Sequence, residues 1–385
     1  RVSTNDQTIF DITSYVLSNR VILKFVGLYP KNGTRTLTIA FCMLLIAVPQ
    51  VLQIYHTRDL SVVVETSSVL LTLILALLKM IVWTARRNEI DDLITYLFGD
   101  YWNMINFVDE EGASCFLRYA LHTYIIIKDT SAFTKSYIFL VVNSLLLFFG
   151  LPLVQISIAN IKGSSNETRA YLFPGLYPEG WTESPFYEIV VLSQIIATST
   201  CGAVILAIDT LVATAVFHTC GHFKIVQKNL RSLGEDLRIC IEHHQITLKF
   251  SETLERLFSP IMLCQVLASM MIICLVGVEV SSTLTDRGKV LKYLSYLSMA
   301  LFQLMSSCLP SDDLIHQSLA VSDAAYATNW YKISKILKTD VKFIIIRGQR
   351  PARITAGKFT VMSLEHFGTI LSTSMSYFTV LRSLN

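Results

Sequence analysis

Seven stretches of the chain are long and apolar enough to predict helices that cross a lipid bilayer, since a spanning helix needs about 20 mostly apolar residues. Six are strongly apolar, and the seventh is more polar, with several serine and threonine residues and one acid. The predicted spans, numbered one to seven, cover residues 36–55, 62–82, 137–158, 187–217, 261–280, 290–310 and 363–384. The pattern therefore predicts an all-α membrane protein with seven transmembrane helices.

The composition of the 385-residue chain agrees with this prediction. Hydrophobic residues make up 52% of it and charged residues only 16%, with a mean hydropathy of +0.50. Soluble domains carry about 25% charged residues, so these proportions exclude a cytosolic enzyme and a nucleic-acid-binding module. The 21 phenylalanines and 16 tyrosines exclude a disordered chain. Membrane lipid is therefore an expected partner, and nucleic acid is not.

The basic residues predict the orientation of the chain, because Lys and Arg concentrate on the cytoplasmic side of a membrane. Of the 32 basic residues, 24 lie in the N-terminal segment and in the segments after spans two, four and six. We therefore expect a cytoplasmic N-terminus and an extracellular C-terminus. The resulting divisions are a cytoplasmic segment 1–35, spans one to six within 36–328, an extracellular loop 159–186, a cytoplasmic helix 329–350 and a seventh span 363–385.

This orientation argues against a G-protein-coupled receptor, whose N-terminus lies outside the cell. The motifs typical of that class, Asp/Glu-Arg-Tyr at the third span and Asn-Pro-x-x-Tyr in the seventh, are absent from the sequence. A glycosylation signal, Asn166-Glu167-Thr168, falls in the middle of the predicted extracellular loop. It agrees with the orientation, and we expect Asn166 to carry a glycan.

The sequence contains none of the motifs of hydrolases, zinc proteases, phosphate-binding loops or dinucleotide sites. The adjacent His243 and His244 lack a further ligand at helical spacing, so a solvated or packed pair is expected rather than a metal site. No two cysteines have the C-x-x-C spacing of a zinc site; the eight are Cys42, Cys115, Cys201, Cys220, Cys240, Cys264, Cys274 and Cys308. We predict no enzyme activity, no cofactor and no bound metal.

The segment before the seventh span predicts an amphipathic cytoplasmic helix of about five turns. Apolar residues recur at helical spacing on one face, and lysines mark the other. The apolar set is Trp330, Ile333, Leu337, Val341 and Ile344. This face either lies on the anionic inner leaflet or packs against extensions of spans four, five and six or a second subunit. We favour packing, because residues 218–258 supply matching apolar positions.

Charged residues also lie within the predicted spans, where each costs about 2.5–3.5 kcal/mol at the membrane centre; four of them are Lys79, Asp209, Glu65 and Glu365. Lys79 is three residues from the end of its span and is expected to reach the membrane surface. Asp209, Glu65 and Glu365 are also placed near span ends. We therefore expect structural roles at helix ends for all four, and no ion site in mid-membrane.

The seventh span carries a stripe of hydroxyl groups on an otherwise apolar helix. Ser372, Ser376, Thr379 and Ser383 recur at intervals of four, three and four, and Phe367, Leu371, Met375 and Phe378 form another face. Such a stripe either packs small residues between neighbouring helices or lines a pore. One amphipathic helix cannot enclose water, so a pore requires several copies around an axis.

The C-terminal motifs resemble the end of an insect odorant receptor. They are Ala356-Gly357-Lys358-Phe359, Met362-Ser363-Leu364-Glu365 and Ser376-Tyr377-Phe378-Thr379-Val380-Leu381-Arg382. The resemblance covers the whole chain in layout, and its specificity lies in about the last 35 residues. The Ser-Tyr-Phe-Thr-Val sequence is similar to the odorant branch of insect chemoreceptors rather than the gustatory branch.

The resemblance implies a ligand-gated, poorly selective cation channel of four subunits in the plasma membrane of sensory neurons. A tuning subunit of this family assembles with a shared co-receptor, and the chain lacks the long insertion of the co-receptor, which implies a tuning subunit. The cytoplasmic helix would form an anchor between subunits. The seventh span would line the pore, with the gate and its polar neighbours at Ser376, Thr379, Val380, Ser383 and Leu384.

A volatile or weakly polar ligand is then expected in the outer halves of spans two to six. Counting inward from the outer ends gives the candidates Val69, Leu70, Phe148, Phe149, Gln155, Val191, Gln194, Ile195, Tyr293, Tyr296 and Leu297. Each either contacts ligand or packs between helices and lipid. The aromatic loop with Tyr171, Phe173, Tyr177 and Trp181 either caps the pocket or forms an interfacial belt.

Two other functions remain as alternatives. A metabotropic seven-helix chemoreceptor without its own pore would need the opposite orientation. A small-molecule transporter would be expected to show paired, interrupted spans in two corresponding halves, and the sequence shows no such repeat.

Overall fold

The computed structural model describes residues 21–30, 32–99, 132–152, 154, 171–178, 180–231, 237–332 and 334–383. Nine long helices lie within these ranges: α1 Gly33–His56, α2 Leu60–Ala85, α3 Arg87–Phe98, α4 Ala132–Pro152, α5 Phe186–Arg231, α6 Leu237–Ser282, α7 Arg287–Tyr326, α8 Lys335–Gly348 and α9 Leu364–Ser383. A short antiparallel hairpin of β1 Thr355–Ala356 and β2 Thr360–Val361 precedes α9. The predicted residues Gln155, Asn166 and Leu384 lie outside the described residues.

Seven of the helices coincide with the seven predicted spans over the residues that the structure describes: α1, α2, α4, α5, α6, α7 and α9. Among the described residues, α1, α2, α4, α5 and α6 are long and apolar enough to cross a membrane by length and composition. The stretches of α7 and α9 are more polar, because serine, threonine and tyrosine residues interrupt them. Both α5 and α6 have 46 residues and are therefore about 69 Å long, roughly twice the thickness of a hydrocarbon core.

The helix α5 is the centre of the bundle. Thirteen consecutive residues, 204–216, are buried on every side of it, which happens only when neighbours surround a helix completely. It packs most extensively against α7, and also against α1, α2 and α6. The remaining pairings of α2 with α6 and of α6 with α7 close the bundle around it.

The predicted five-turn amphipathic helix is shorter than expected. A separate 3-10 turn holds Trp330–Lys332, and α8 begins at Lys335, where the Ser334 side chain accepts a hydrogen bond from the Leu337 backbone N–H. The helix packs against α7 through the buried Val341 and Ile344, which supports the packing interpretation. A serine N-cap with its own hydrogen bond stops the helix from extending back to Trp330.

The β-hairpin fastens the start of α9 to α6. The Glu255 carboxylate accepts hydrogen bonds from the backbone N–H and the hydroxyl of Thr355, at 2.9 and 2.6 Å. Gly357, in the C-terminal motif that suggested the family, has φ +59 and donates its N–H to the Ser259 carbonyl at 3.0 Å. A Cβ there would lie 2.7 Å from the Leu263 side chain. The turn therefore requires glycine for both its backbone conformation and its close approach to α6.

Candidate functional site

A cavity of about 100 Å³ lies between α2, α4, α5, α6 and α7 at the end of the bundle where residues 171–178 cross over it. We call this the capped end. Three of the predicted pocket residues line the cavity: Val69, Phe148 and Tyr296. Phe173, from the loop expected either to cap the pocket or to form an interfacial belt, also lines it. The other lining residues were not predicted: Thr72, Leu73, Val141, Ser144, Leu145, Thr198, Cys201, Gly202, Ile205, Ile272, Met299, Ala300 and Gln303. Those on α2, α4, α5 and α7 lie up to about three turns deeper than the predicted positions.

The remaining predicted pocket residues that the structure describes do not line the cavity, and most of them pack in neighbouring apolar clusters. Phe149, Val191 and Ile195 pack against the same apolar cluster as Val69 and Phe148. Tyr293 and Leu297 belong to the neighbouring cluster of Ile272, Val276 and Ala300. Leu70 packs against the main core. Counting inward from the predicted span ends found the right helices, but it could not tell which face of each helix turns towards the cavity.

The loop at the capped end contributes Phe173 to the wall of the cavity. The Phe173 ring is buried and stacks on Phe148 with the ring centroids 5.7 Å apart. Its backbone N–H donates to Oε1 of Gln194, and its carbonyl accepts from Nε2 of Gln194, at 3.3 and 3.1 Å. Gln194 is fully buried and therefore holds the loop in place rather than lining the cavity. This geometry supports a cap over the pocket.

The same glutamine also binds Tyr177 of the loop. Its Nε2 donates to the Tyr177 hydroxyl oxygen at 3.0 Å. Burial raises the pKa of Tyr177 above its ordinary value, so its side chain stays a neutral phenol at physiological pH. One buried amide thus fixes two aromatic residues of the loop, and the donors and acceptors involved satisfy one another.

Most hydroxyl groups around the cavity already have partners. The Thr72 and Tyr296 hydroxyls lie 2.5 Å apart, and Tyr296 also donates to the Ser68 carbonyl at 3.0 Å. The Thr198 hydroxyl donates to the carbonyl of Gln194, one turn earlier on α5, at 2.6 Å. The walls therefore present mainly aromatic and aliphatic surface with a few engaged polar groups, which suits a small, weakly polar molecule.

A buried polar network forms the floor of the cavity. Lys79 on α2 forms an ion pair with Asp209 on α5, and both side chains are almost completely buried. The Tyr137 hydroxyl donates to Oδ2 of Asp209 at 2.9 Å. Nε2 of Gln303, a cavity-lining residue, donates to the same oxygen at 3.4 Å and to Oε1 of Gln265 at 3.1 Å. Helices α2, α4, α5, α6 and α7 therefore meet at this network.

The expectation that Lys79 reaches the membrane surface is wrong, and so is the expected role of Asp209 at a helix end. Lys79 is 0% exposed, and α5 continues for 22 residues beyond Asp209 to Arg231. Two opposite charges in different spans satisfy each other in the interior, where an unpaired charge would cost several kcal/mol. By contrast, Glu65 lies in the second turn of α2 and binds Lys292 of α7 at 3.2 Å, and Glu365 lies in the first turn of α9.

The histidine pair is packed rather than solvated, and its partner comes from another helix. Nε2 of His243 lies 2.7 Å from Nδ1 of His222 on α5, and Nε2 of His222 lies 3.2 Å from Nε2 of His218. His222 thus uses its two ring nitrogens for two different neighbours. The part of the chain that the structure describes contains no group of three or more ligands arranged to hold a metal ion.

The pore candidates lie on a face of α9 that the chain itself does not cover. Ser376, Thr379, Val380 and Ser383 are exposed, and only Ile370 and Ser374 of this helix are buried. The three hydroxyl groups donate to carbonyls of their own helix. Among the residues that the structure describes, none of the three is hydrogen-bonded to another helix, in contrast to Ser374, which donates to the Met270 carbonyl at 3.2 Å.

These features define a seven-helix membrane protein built around a capped, apolar cavity. Residues 59–375 match the model of the family described as 7tm Odorant receptor. The chain belongs to this family of insect odorant receptors.

Individual relatives support the same family assignment. Over 267 residues the chain is 30% identical to odorant receptor 13a of Drosophila melanogaster, covering 62% of this chain and 63% of that relative. It is 26% identical to odorant receptor 82a of the same species, over 86% of both chains. The chain thus spans just under two thirds of the length of the first of these relatives.

The fold agrees with a solved structure. The olfactory receptor OR5 from Machilis hrabei in complex with eugenol superposes with a TM-score of 0.85, at 16% identity, covering 99% of this chain and 100% of that chain. The structure of the same receptor described without a ligand gives a TM-score of 0.81. This likeness shows the seven-helix fold.

The buried ion pair gives a direct prediction. Asp209→Asn leaves the buried Lys79 ammonium without a counter-charge, so the free energy of unfolding should fall by about 3–5 kcal/mol. We expect a lower melting temperature of the detergent-solubilised protein and less protein at the cell surface. Lys79→Met combined with Asp209→Leu removes both charges and should recover most of the loss.

The matched control is Glu89→Gln, which breaks the exposed pair between Glu89 and Arg256. Solvent screens that pair, so its loss should change the melting temperature little. An Asp209→Asn protein that melts at the same temperature as the Glu89→Gln protein would contradict the structural role of the buried pair.

Proposed function

We propose that this chain is the tuning subunit of an odorant-gated, poorly selective cation channel. It binds a volatile or weakly polar molecule in the capped cavity and acts in the plasma membrane of sensory neurons, with its N-terminus in the cytoplasm. The observation that carries this proposal is the cavity itself: apolar, lined by five helices and by Phe173 of a loop that Gln194 holds. Membership of the odorant receptor family supports the same conclusion.

The size of the cavity suggests how binding opens the channel. Its volume of about 100 Å³ is smaller than the roughly 300–1,000 Å³ of most ligand sites. A ligand of several heavy atoms must therefore displace the walls at the capped end, where mainly apolar contacts, the Gln194 amide and the partly exposed ion pair of Glu65 with Lys292 hold them. It binds the widened arrangement better than the resting one, and only such a difference in affinity shifts a conformational equilibrium.

The uncovered surfaces of the chain support assembly into a tetramer with a shared co-receptor. Val380 of α9 is 57% exposed, and Phe343 and Ile346 of α8 are 66% and 59% exposed. Four α9 helices around one axis would place the hydroxyl stripe on a pore, and α8 helices packed together would form the anchor. A metabotropic receptor without a pore gives no reason for polar groups along this face.

The pocket is tested by changing its aromatic wall. Phe148→Ala removes aromatic wall surface that a bound ligand would contact, and an aromatic contact is worth about 0.5–1.5 kcal/mol beyond its buried area, so the concentration for half-maximal current should rise about twofold to tenfold. The size of the rise should differ between agonists, because each contacts the wall differently. The measurement is a dose–response series in cells that also express the co-receptor, with eugenol, octanol, heptanone and ethyl hexanoate as probes.

Phe139→Ala is the matched control, because Phe139 lies on the same helix and is 68% exposed. It should leave every dose–response curve at its wild-type position. Indistinguishable curves for the two variants, at equal surface levels, would contradict ligand binding in this cavity.

The pore is tested by charges of opposite sign at Ser383. Ser383→Asp should raise and Ser383→Arg should lower the permeability to cations relative to chloride, each by about twofold or more, because charged rings tune ion selectivity. Reversal potentials of the evoked current in ion-substituted solutions measure this ratio. A structural disturbance would shift the permeability ratio of both variants in the same direction. That result would contradict the proposal that α9 lines the pore.

A further inference from the structure

Helix α6 lies between the cavity and the seventh membrane helix. Ile272 lines the cavity, and Gly277 lies five residues further along and contacts α9. At 100° per residue these positions are separated by about 140° around the helix, so they lie on different faces. A displacement of α6 at the cavity therefore reaches α9 through the body of one rigid helix.

The contact at Gly277 is a notch that holds the ring of Phe378. A Cβ built on Gly277 would lie 3.3 Å from Cδ2 and 3.8 Å from Cε2 of that ring. The 3.3 Å distance is tighter than ordinary van der Waals contact, so a side chain at position 277 would push the ring away by a few tenths of an ångström. The absence of a Cβ lets α9 approach α6 closely, as small residues do in membrane helix pairs.

Phe378 is also packed near α2, a second helix that lines the cavity. It packs against the cluster of Val64 on α2 with Leu275 and Val278 on α6. Helix α2 lines the cavity with Val69, Thr72 and Leu73, one to three turns further along. Helix α6 therefore contacts this ring directly at Gly277, and α2 shares with it the apolar cluster against which the ring packs.

We propose that Phe378, seated in the Gly277 notch, is the joint that passes movement of the cavity walls to the pore helix. The inference rests on the proposed function, which supplies the ligand and the pore. Close-packed interfaces have a few discrete arrangements rather than a continuous range, so a ring confined between two helices follows them when they shift. Gly277 and Phe378 are positioning residues that contact neither the ligand nor the ions.

The test is Gly277→Ala, which narrows the notch without adding charge. We expect the half-maximal concentration to rise by about fivefold or more and the maximal current to fall, since coupling between sites is typically worth 5–150-fold. A joint acts after binding, so every active member of the panel of eugenol, octanol, heptanone and ethyl hexanoate should shift by the same factor. Phe148→Ala, in the pocket, should instead shift the agonists unequally.

Two further variants complete the design. Gly150→Ala is the matched control, because a Cβ on Gly150 meets nothing within 4 Å, and its curves should match wild type. Phe378→Leu in the Gly277→Ala background shortens the side chain in the narrowed notch and should restore part of the response. Phe378→Leu alone adds no atom to the interface, so it replaces Gly277→Ala in the test if that protein does not reach the cell surface. It too should shift the half-maximal concentration by the same factor for every agonist.

The outcomes separate this inference from the function on which it rests. Wild-type curves for both Gly277→Ala and Phe378→Leu at equal surface levels, or shifts that change the order of the agonists, would overturn the joint. An unmodified complex that gives no current with any probe would count against the proposed function instead.

Discussion

The buried ion pair between Lys79 and Asp209 is the interaction on which the rest of the structure depends. A lone charge in this interior would cost several kcal/mol, so α2 and α5 are held where their charges meet. Tyr137 on α4 and Gln303 on α7 donate hydrogen bonds to the same carboxylate. The helices that enclose the cavity are thereby fixed at its floor.

The capped end is held differently. There the contacts are aromatic stacking, aliphatic packing, the amide of Gln194 that fastens the loop and the partly exposed ion pair of Glu65 with Lys292. Packing of apolar side chains is non-directional and tolerates small shifts more easily than a fully buried ion pair does. This contrast between a buried ionic floor and a mainly apolar cap makes the capped end the part of the bundle that can widen around a ligand. In the proposed mechanism the widening moves α2 and α6, and Phe378 carries it to α9.

Periodicity predicted the seven helices and the exposed stripe of α9, because chain-local patterns decide helix faces. It could not predict partners that lie far apart in sequence. Lys79 and Asp209 are 130 residues apart, and each looked like a residue at a helix end when considered alone. His243 found its partner His222 on another helix. Gln194 was expected to contact ligand, but the loop whose backbone it binds has no periodic pattern to show it.

The central claim is that a small molecule in the capped cavity opens the pore. A structure of the complex of this chain and its co-receptor, determined with and without the strongest agonist, tests it most directly. The account predicts ligand density between Phe148, Phe173 and Tyr296, wider walls at the capped end and a shifted α9, while Lys79 and Asp209 stay paired. Agonist density elsewhere, with this cavity unchanged and the pore open, would contradict it.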